Sequence, residues 1–249
     1  MSNLLSVKEL NVNNIFSNIS FNIAEKSFNI LVGKNSIGKT CLVCSILGLT
    51  KYKGEIEFKY DRKDIGCISD YTYITEDSIF EYLSKPLINL GNTESKAEKT
   101  VYSVAKKLGI ENLLSKTREL LNTEETLMVM LMHAVVHNPK LVIIDNTLDE
   151  LHESNKIRFI KYLKNMKTTV IFVTNDSRYF KYSNRILVMT KSKIETIKDS
   201  MSITRLENLL VKNNSELPFN LELSSKLYSY GIIKELYNDS SELVENIWK

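Results

Sequence analysis

The sequence predicts an α/β fold built on a largely parallel sheet. Three observations carry this. Short apolar runs at Phe28–Val32, Leu141-Val142-Ile143-Ile144 and 170–173 read as strands covered on both faces. Stretches with helical spacing alternate with them. A glycine-bounded loop leads from the first of these strands into the first helix.

Taken in order, residues 19–23 alternate apolar and polar, the pattern of a half-buried strand. Phe28–Val32 is a buried strand ending at Gly33. Residues 40–47 read as a helix closed by Gly48, and 55–58 and 65–69 as further strands. The middle is helical. Ala97, Val101, Val104, Ala105 and Leu108 recur at helical spacing, with Gly109 as the C-terminal cap. Residues 127–136 are apolar all round, so that helix is expected in the core, and Asn138-Pro139 breaks it. A buried strand then ends in Asp145, a helix follows over roughly 151–165, and strands at 170–173 and 185–189 complete the pattern. Residues 201–249 change texture. Apolar positions at helical spacing between Pro218 and Gly231 fit two or three helices and no strand.

Composition removes several function classes. With 43% apolar and 25% charged residues among 249, the chain is long and apolar enough to bury its own core. Its 8 glycines and 3 prolines exclude collagen-like and Pro-rich folds. Net charge is 33 − 30 = +3, too weak to imply nucleic acid. No apolar run reaches the ~18 residues of a membrane span, and the first residues lack the pattern of a signal peptide. Cys41, Cys44 and Cys67 read as reduced, buried core residues of a cytosolic protein.

Gly33-Lys34-Asn35-Ser36-Ile37-Gly38-Lys39-Thr40 fits G-x-x-x-x-G-K-[ST], after a strand and before a helix. In that context loop N–H groups face a β-phosphate, and the helix N-terminus adds a positive dipole end. Lys39 reaches the β- and γ-phosphates, and the Thr40 hydroxyl holds Mg²⁺. Asp145, ending its strand, completes the Mg²⁺ shell in such proteins. The plainer alternatives are a glycine turn with an exposed lysine and a strand-end aspartate capping the next turn.

On these residues the chain resembles an ABC-type P-loop ATPase, and within that family the ATP-binding subunit of energy-coupling factor (ECF) transporters. Further support comes from Pro86-Leu87-Ile88-Asn89-Leu90-Gly91 with the amphipathic helix after it, and from His137-Asn138-Pro139-Lys140 running into Asp145. The run Thr169-Val170-Ile171-Phe172-Val173-Thr174-Asn175-Asp176 and the tail from Glu216-Leu217-Pro218-Phe219 add to it. The resemblance implies a mainly parallel sheet core with an antiparallel β part. It implies a nucleotide-binding domain over 1–200 with a helical subdomain at about 71–137, and a C-terminal helical region over 201–249. ATP and Mg²⁺ are the implied cofactors.

The departures from the family pattern are concentrated in the hydrolytic machinery. The family's general-base glutamate after the strand-end aspartate is Asn146, and an amide cannot take a proton from water. The family's switch histidine is Asn175. The LSGGQ signature, counted back from Asn138-Pro139, falls on Leu121-Asn122-Thr123-Glu124-Glu125, with both glycines gone and Glu124 bringing negative charge toward a triphosphate. The glutamine expected after the 65–69 strand is Asp70, a further candidate metal ligand. The family's Leu-Asp pair reads Leu151-His152. No aromatic stands ready to stack on adenine: Val12 lies near that position, and Phe16 is the nearest aromatic.

The resemblance implies an ATP-binding subunit of an importer of vitamins or metal ions. Such a subunit lies peripherally at the cytoplasmic face of the cell membrane. Its implied partners are a second, more complete ATPase chain, a transmembrane T-type subunit and a substrate-binding membrane subunit. The docking segment would be 70–90, with Tyr71, Tyr73, Ile79, Phe80 and Tyr82. By itself the chain is expected to bind ATP and hydrolyse it weakly or not at all. The alternatives are a nucleotide-sensing regulator or scaffold without a transport role, and an active P-loop enzyme of another class. The helical insertion before Asp145 disfavours the last.

Overall fold

Nine strands and eight α-helices make up the computed structural model, which describes residues 2–69, 72–197, 203–212, 217–237 and 239–247. In chain order they are β1 (Asn3–Val12), β2 (Phe16–Ala24), β3 (Phe28–Val32), α1 (Lys39–Leu47), β4 (Lys53–Phe58), β5 (Ile65–Ile68), α2 (Ile79–Asn89), α3 (Glu94–Leu108) and α4 (Thr123–Val135). Then come β6 (Leu141–Asp145), α5 (Glu153–Met166), β7 (Thr169–Val173), β8 (Arg185–Met189), β9 (Ile194–Ile197), α6 (Ile203–Lys212), α7 (Phe219–Ser229) and α8 (Ser240–Ile247). They group into two compact units, Met1–Lys59 with Ile171–Lys249, and Tyr60–Val170.

The first unit begins with an antiparallel sheet in the order β2-β1-β4. β2 alternates as its sequence demands, burying Ile19, Phe21 and Ile23. β1 does not. Leu4 and Leu5 are both buried, the register shifts along the strand, and Glu9 sits at φ 47°. Bulges of this kind insert residues and break the two-residue period, which is why periodicity did not find β1. The rest of the unit's strands run β7-β3-β8-β9. β3 and β8 are parallel, with Ile30 opposite Ile186 and Val32 opposite Val188, and β9 is an antiparallel edge. β3 is buried at all positions, as a strand covered on both faces must be. Among the described residues of 201–249 the tail forms three helices, where two or three were expected. They bury Leu206, Leu210, Leu221 and Leu243, and Lys181 Nζ reaches Asp239 Oδ2 at 3.0 Å.

In the second unit β5 and β6 pair in parallel, Ile65 opposite Leu141 and Ile68 opposite Ile144. α4 packs on them and on α2 and α3. Its Val129, Leu131, Met132 and Val135 are excluded from solvent, the all-round burial its composition predicted. α3 is closed at both ends by its sequence. The Thr93 hydroxyl accepts from Lys96 N, Lys106 and Lys107 occupy the last turn, and Gly109 takes the left-handed cap.

Several expected details are corrected. α1 begins at Lys39, one residue before 40–47, and α4 begins at Thr123, a turn before 127–136. The three cysteines are thiols but half-buried rather than core residues. Among the described residues no helix is long and apolar enough to cross a membrane.

Candidate functional site

β3 delivers the chain to Gly33. A Cβ there would lie 2.8 Å from Met189 O, so only glycine allows β8 to pass this closely. The loop of residues 33–40 then enters α1. Gly38 precedes the helix at φ 105°, and a Cβ on it would strike Ile15 Cγ2 at 2.5 Å and crowd Phe16 at 3.0 Å. No side chain caps this helix, and its first turn holds no acidic residue. The first N–H groups of a helix lack intrahelical acceptors. This end therefore offers donors and a positive dipole to an anion.

Lys39 is 7% exposed, and its ammonium sits inside the loop, donating to Gly33 O at 2.7 Å and Lys34 O at 3.2 Å. Asn175, just beyond β7, joins the same loop. Its Oδ1 accepts from Gly33 N at 3.2 Å, and its Nδ2 donates to Asn35 Oδ1 at 3.2 Å. Ser36 is held at φ 62°, a left-handed conformation that side chains disfavour. A fixed cation, an uncapped helix start and a close-packed glycine loop fit a phosphate group. The half-buried Thr40 follows in the first turn of α1 with its hydroxyl.

In the second unit, β6 ends on Asp145, 3% exposed. Asn146 follows, exposed and at φ 57°, a backbone that asparagine tolerates better than most residues. The start of α4 is unlike that of α1. Asn122 Oδ1 accepts from Glu125 N at 2.8 Å, and Asn122 N donates back to Glu125 Oε2 at 3.1 Å, a reciprocal capping box. Lys116 Nζ holds Glu125 Oε1 at 2.8 Å. Glu124 Oε1 accepts from His152 N at 2.9 Å and from Asn155 Nδ2 at 2.8 Å. The Asn155 amide first, then the His152 N–H, hold the Glu124 carboxyl below the usual carboxylate range. Lys116 does the same for Glu125.

A sequence model of the family described as "ABC transporter" matches residues 16–149, more than half of the chain. The chain belongs to the ABC transporter family. It is 25% identical over 255 residues to the energy-coupling factor transporter ATP-binding protein EcfA1 of Ureaplasma parvum, covering 94% of this chain and 86% of that protein. It is 26% identical over 259 residues to the corresponding EcfA of Malacoplasma penetrans, covering 96% and 89%. The structure of cbiO1 from Clostridium perfringens superposes with a TM-score of 0.71 over 86% of this chain and 95% of that one, at 23% identity. The fold is that of an ABC-type ATPase.

In this ABC ATPase, sequence reasoning found the loop and Asn175, and the structure brings them together. Leu121 and Asn122–Glu125 form one helix entry, but as a self-capped one. Asp70 and Tyr71 lie outside the described residues, as does Glu216. Of the docking aromatics and their neighbours, Ile79 and Tyr82 are core residues, whereas Tyr73 is 72% exposed and Phe80 lines a groove. Val12 and Phe16 are both buried. The exposed apolar side chain beside the loop is Ile15, in the β1–β2 turn, which sequence reasoning missed. Its only local signal is its place immediately before Phe16. Among the described residues no three His, Cys, Asp or Glu side chains converge as a metal site. Thr40 in the first unit and Asp145 in the second each carry an oxygen donor of the kind Mg²⁺ prefers.

Proposed function

We propose that this chain is the ATP-binding subunit of an energy-coupling factor type importer, and that it binds Mg-ATP while contributing little hydrolysis of its own. One observation carries the binding half: the uncapped start of α1 with the Lys39 ammonium held in the loop. Loop N–H groups and Lys39 take the phosphates, Thr40 and Asp145 are the chain's Mg²⁺ ligands, and Ile15 offers an apolar contact to the base. Bound Mg²⁺ supplies charge that neutralises the phosphate oxygens. Asn146 can hydrogen-bond a water but cannot accept its proton. Asn175 steadies Gly33 and Asn35 and has no proton to exchange near neutral pH.

The transport half rests on the named roles of the relatives and on a groove beside the expected docking segment. Glu76, Glu81, Glu94 and Glu98 rim a cavity of about 510 Å³, with Lys85 bonded to Glu76, Ile88 exposed in it and Phe80 half-buried. Such a surface suits a segment of a membrane subunit with cationic and apolar side chains. The T-type subunit is the proposed occupant, at the cytoplasmic face of the membrane, with a substrate-binding membrane subunit completing the importer of vitamins or metal ions. The second ATPase chain is proposed to be a different, more complete one. A homodimer would combine two chains without a base and with closed signatures. In this reading residues 1–200 form the nucleotide-binding domain and 201–249 its C-terminal helical region.

Calorimetric titration with Mg-ATP and steady-state hydrolysis test the proposal. Expected are affinity in the millimolar range or tighter and turnover far below the ~1 s⁻¹ of competent enzymes. Absence of binding, or turnover of ~1 s⁻¹ by the isolated chain, overturns it. Isolation from membranes without any transmembrane subunit would favour a nucleotide-sensing scaffold instead.

A further inference from the structure

We propose that the second unit holds a binding site for phosphoryl-bearing polyanions in the cleft between α3 and α5, independent of the loop at 33–40. Lys96, Lys99 and Lys107 project from one face of α3, and Arg158 and Lys161 from one face of α5, into a cavity of about 810 Å³. No carboxylate lines it. The helix is not simply lysine-rich. α3 also carries Glu94 and Glu98, and these face the acidic groove against α2. Three of the four α3 lysines thus face α5 and both its glutamates face away, with Lys106 lining neither cavity.

The cations are also unneutralised. Among the described residues Lys96, Lys99, Lys107 and Lys161 have no ion-pair partner. Elsewhere in the same unit Lys63 pairs with Asp61, Lys85 with Glu76 and Lys116 with Glu125. Four ammonium groups around one cleft repel one another within a Debye length of ~8–10 Å, and a polyanion relieves that repulsion.

The cleft is built rather than incidental. Arg158 of α5 crosses to α3, with Nη1 donating to Leu108 O at 3.2 Å, and it also donates within α5 to Asn155 Oδ1 at 3.4 Å. Gly109, whose φ of 69° already favours glycine, lets that guanidinium lie against the chain. Val104, Val136 and Tyr162 form an apolar floor, and Ser103 and Asn165 add neutral donors. Burial pushes the Tyr162 phenol up, so it remains a donor at neutral pH. The volume falls within the ~300–1,000 Å³ of small-molecule sites. Cationic rim, neutral donors and apolar floor together suit a compact molecule with several phosphoryl oxygens and an uncharged part. That chemistry belongs equally to a soluble phosphorylated metabolite and to a phospholipid headgroup.

The test uses the full chain with Lys39→Ala, which disables the phosphate loop. Tripolyphosphate without Mg²⁺ is titrated calorimetrically in one arm. In the other, sedimentation measures binding to phosphatidylglycerol vesicles against phosphatidylcholine vesicles. Saturable binding is expected in at least one arm, weakened tenfold or more by Lys99→Glu/Lys161→Glu. Lys106→Glu/Lys51→Glu, which changes net charge equally outside the cleft, should alter it less than twofold. Lys99→Gln/Lys161→Gln keeps the test valid should charge reversal disturb folding. Binding in the first arm assigns a soluble ligand, and binding only in the second assigns a headgroup. No saturable binding in either arm, or equal loss in the control variant, overturns the site.

Discussion

Two helices begin where an ABC ATPase handles phosphate, and they begin differently. α1 opens after Gly38 with no side-chain cap and no acidic residue in its first turn. α4 opens after Asn122 with its first donors taken by Asn122 and Glu125, and with Glu124 bonded to His152 and Asn155. The same backbone feature, a helix N-terminus with orphan N–H groups, is free of caps and carboxylates in one place and carries a capping box and two carboxylates in the other. What distinguishes a ligand site from a structural cap is thus the nearest side chains, not the helix. The first start is open to an anion, as the proposed nucleotide site requires, and the second is closed by a capping box that stabilises the fold.

That comparison can be strained from several sides, the largest effect first. α4 is stabilised by its own residues along its length. His133 stacks on Tyr82 with centroids 4.1 Å apart, and burial, aided by His137, pushes its pKa down to about 4. An unfolded histidine titrates near 6.5. Folding stability is therefore fully present above pH 6.5 and falls as pH drops toward 4, by roughly 3 kcal/mol from this group. Urea midpoints measured from pH 7 to 4 should show that slope, reduced in His133→Phe. An unchanged slope would mean that α4 is not held this way.

Next, Lys39→Ala removes the cation of the open start and should weaken Mg-ATP binding tenfold or more, ~1.4 kcal/mol or above. Calorimetry would contradict the comparison if the variant bound as well as the parent. Asn122→Ala strips the cap from the closed start. It should cost about 1 kcal/mol of stability, read in thermal unfolding, with Mg-ATP affinity unchanged. Lost affinity there would show that α4 also serves the nucleotide in the isolated chain. The smallest effect is expected from Ser36→Gly, which relieves a left-handed backbone within the loop. A gain of up to about 1 kcal/mol in stability is expected, with affinity equal or a few-fold tighter.

The open start was legible because its signal is local. Strand, Gly33, Gly38-Lys39-Thr40 and helix follow one another within a few residues, and each has a mechanical reason to be there. The closed start was half legible. Asn122 and Glu125 carry the N-x-x-E spacing of a capping box, on the same residues that align with the family's signature. The bonds from Glu124 to His152 and Asn155 span 28 and 31 residues and have no local signature. Ile15 escaped notice for the same reason, since only the fold carries it to Gly38. β1 was lost to its own bulges, which scramble the alternation that periodicity reads. Asn175 is legible by position alone, whereas its bonds to Gly33 and Asn35, across 142 and 140 residues of chain, are not.

Hydrogen exchange of the isolated full-length chain, with and without Mg-ATP, tests the contrast most directly. The account predicts that nucleotide slows exchange of the amides at 33–42 and leaves those at 121–127 unchanged, because a capping box and two carboxylates stand at the second helix start. Protection of 121–127 by nucleotide in the isolated chain, or none at 33–42, would contradict it.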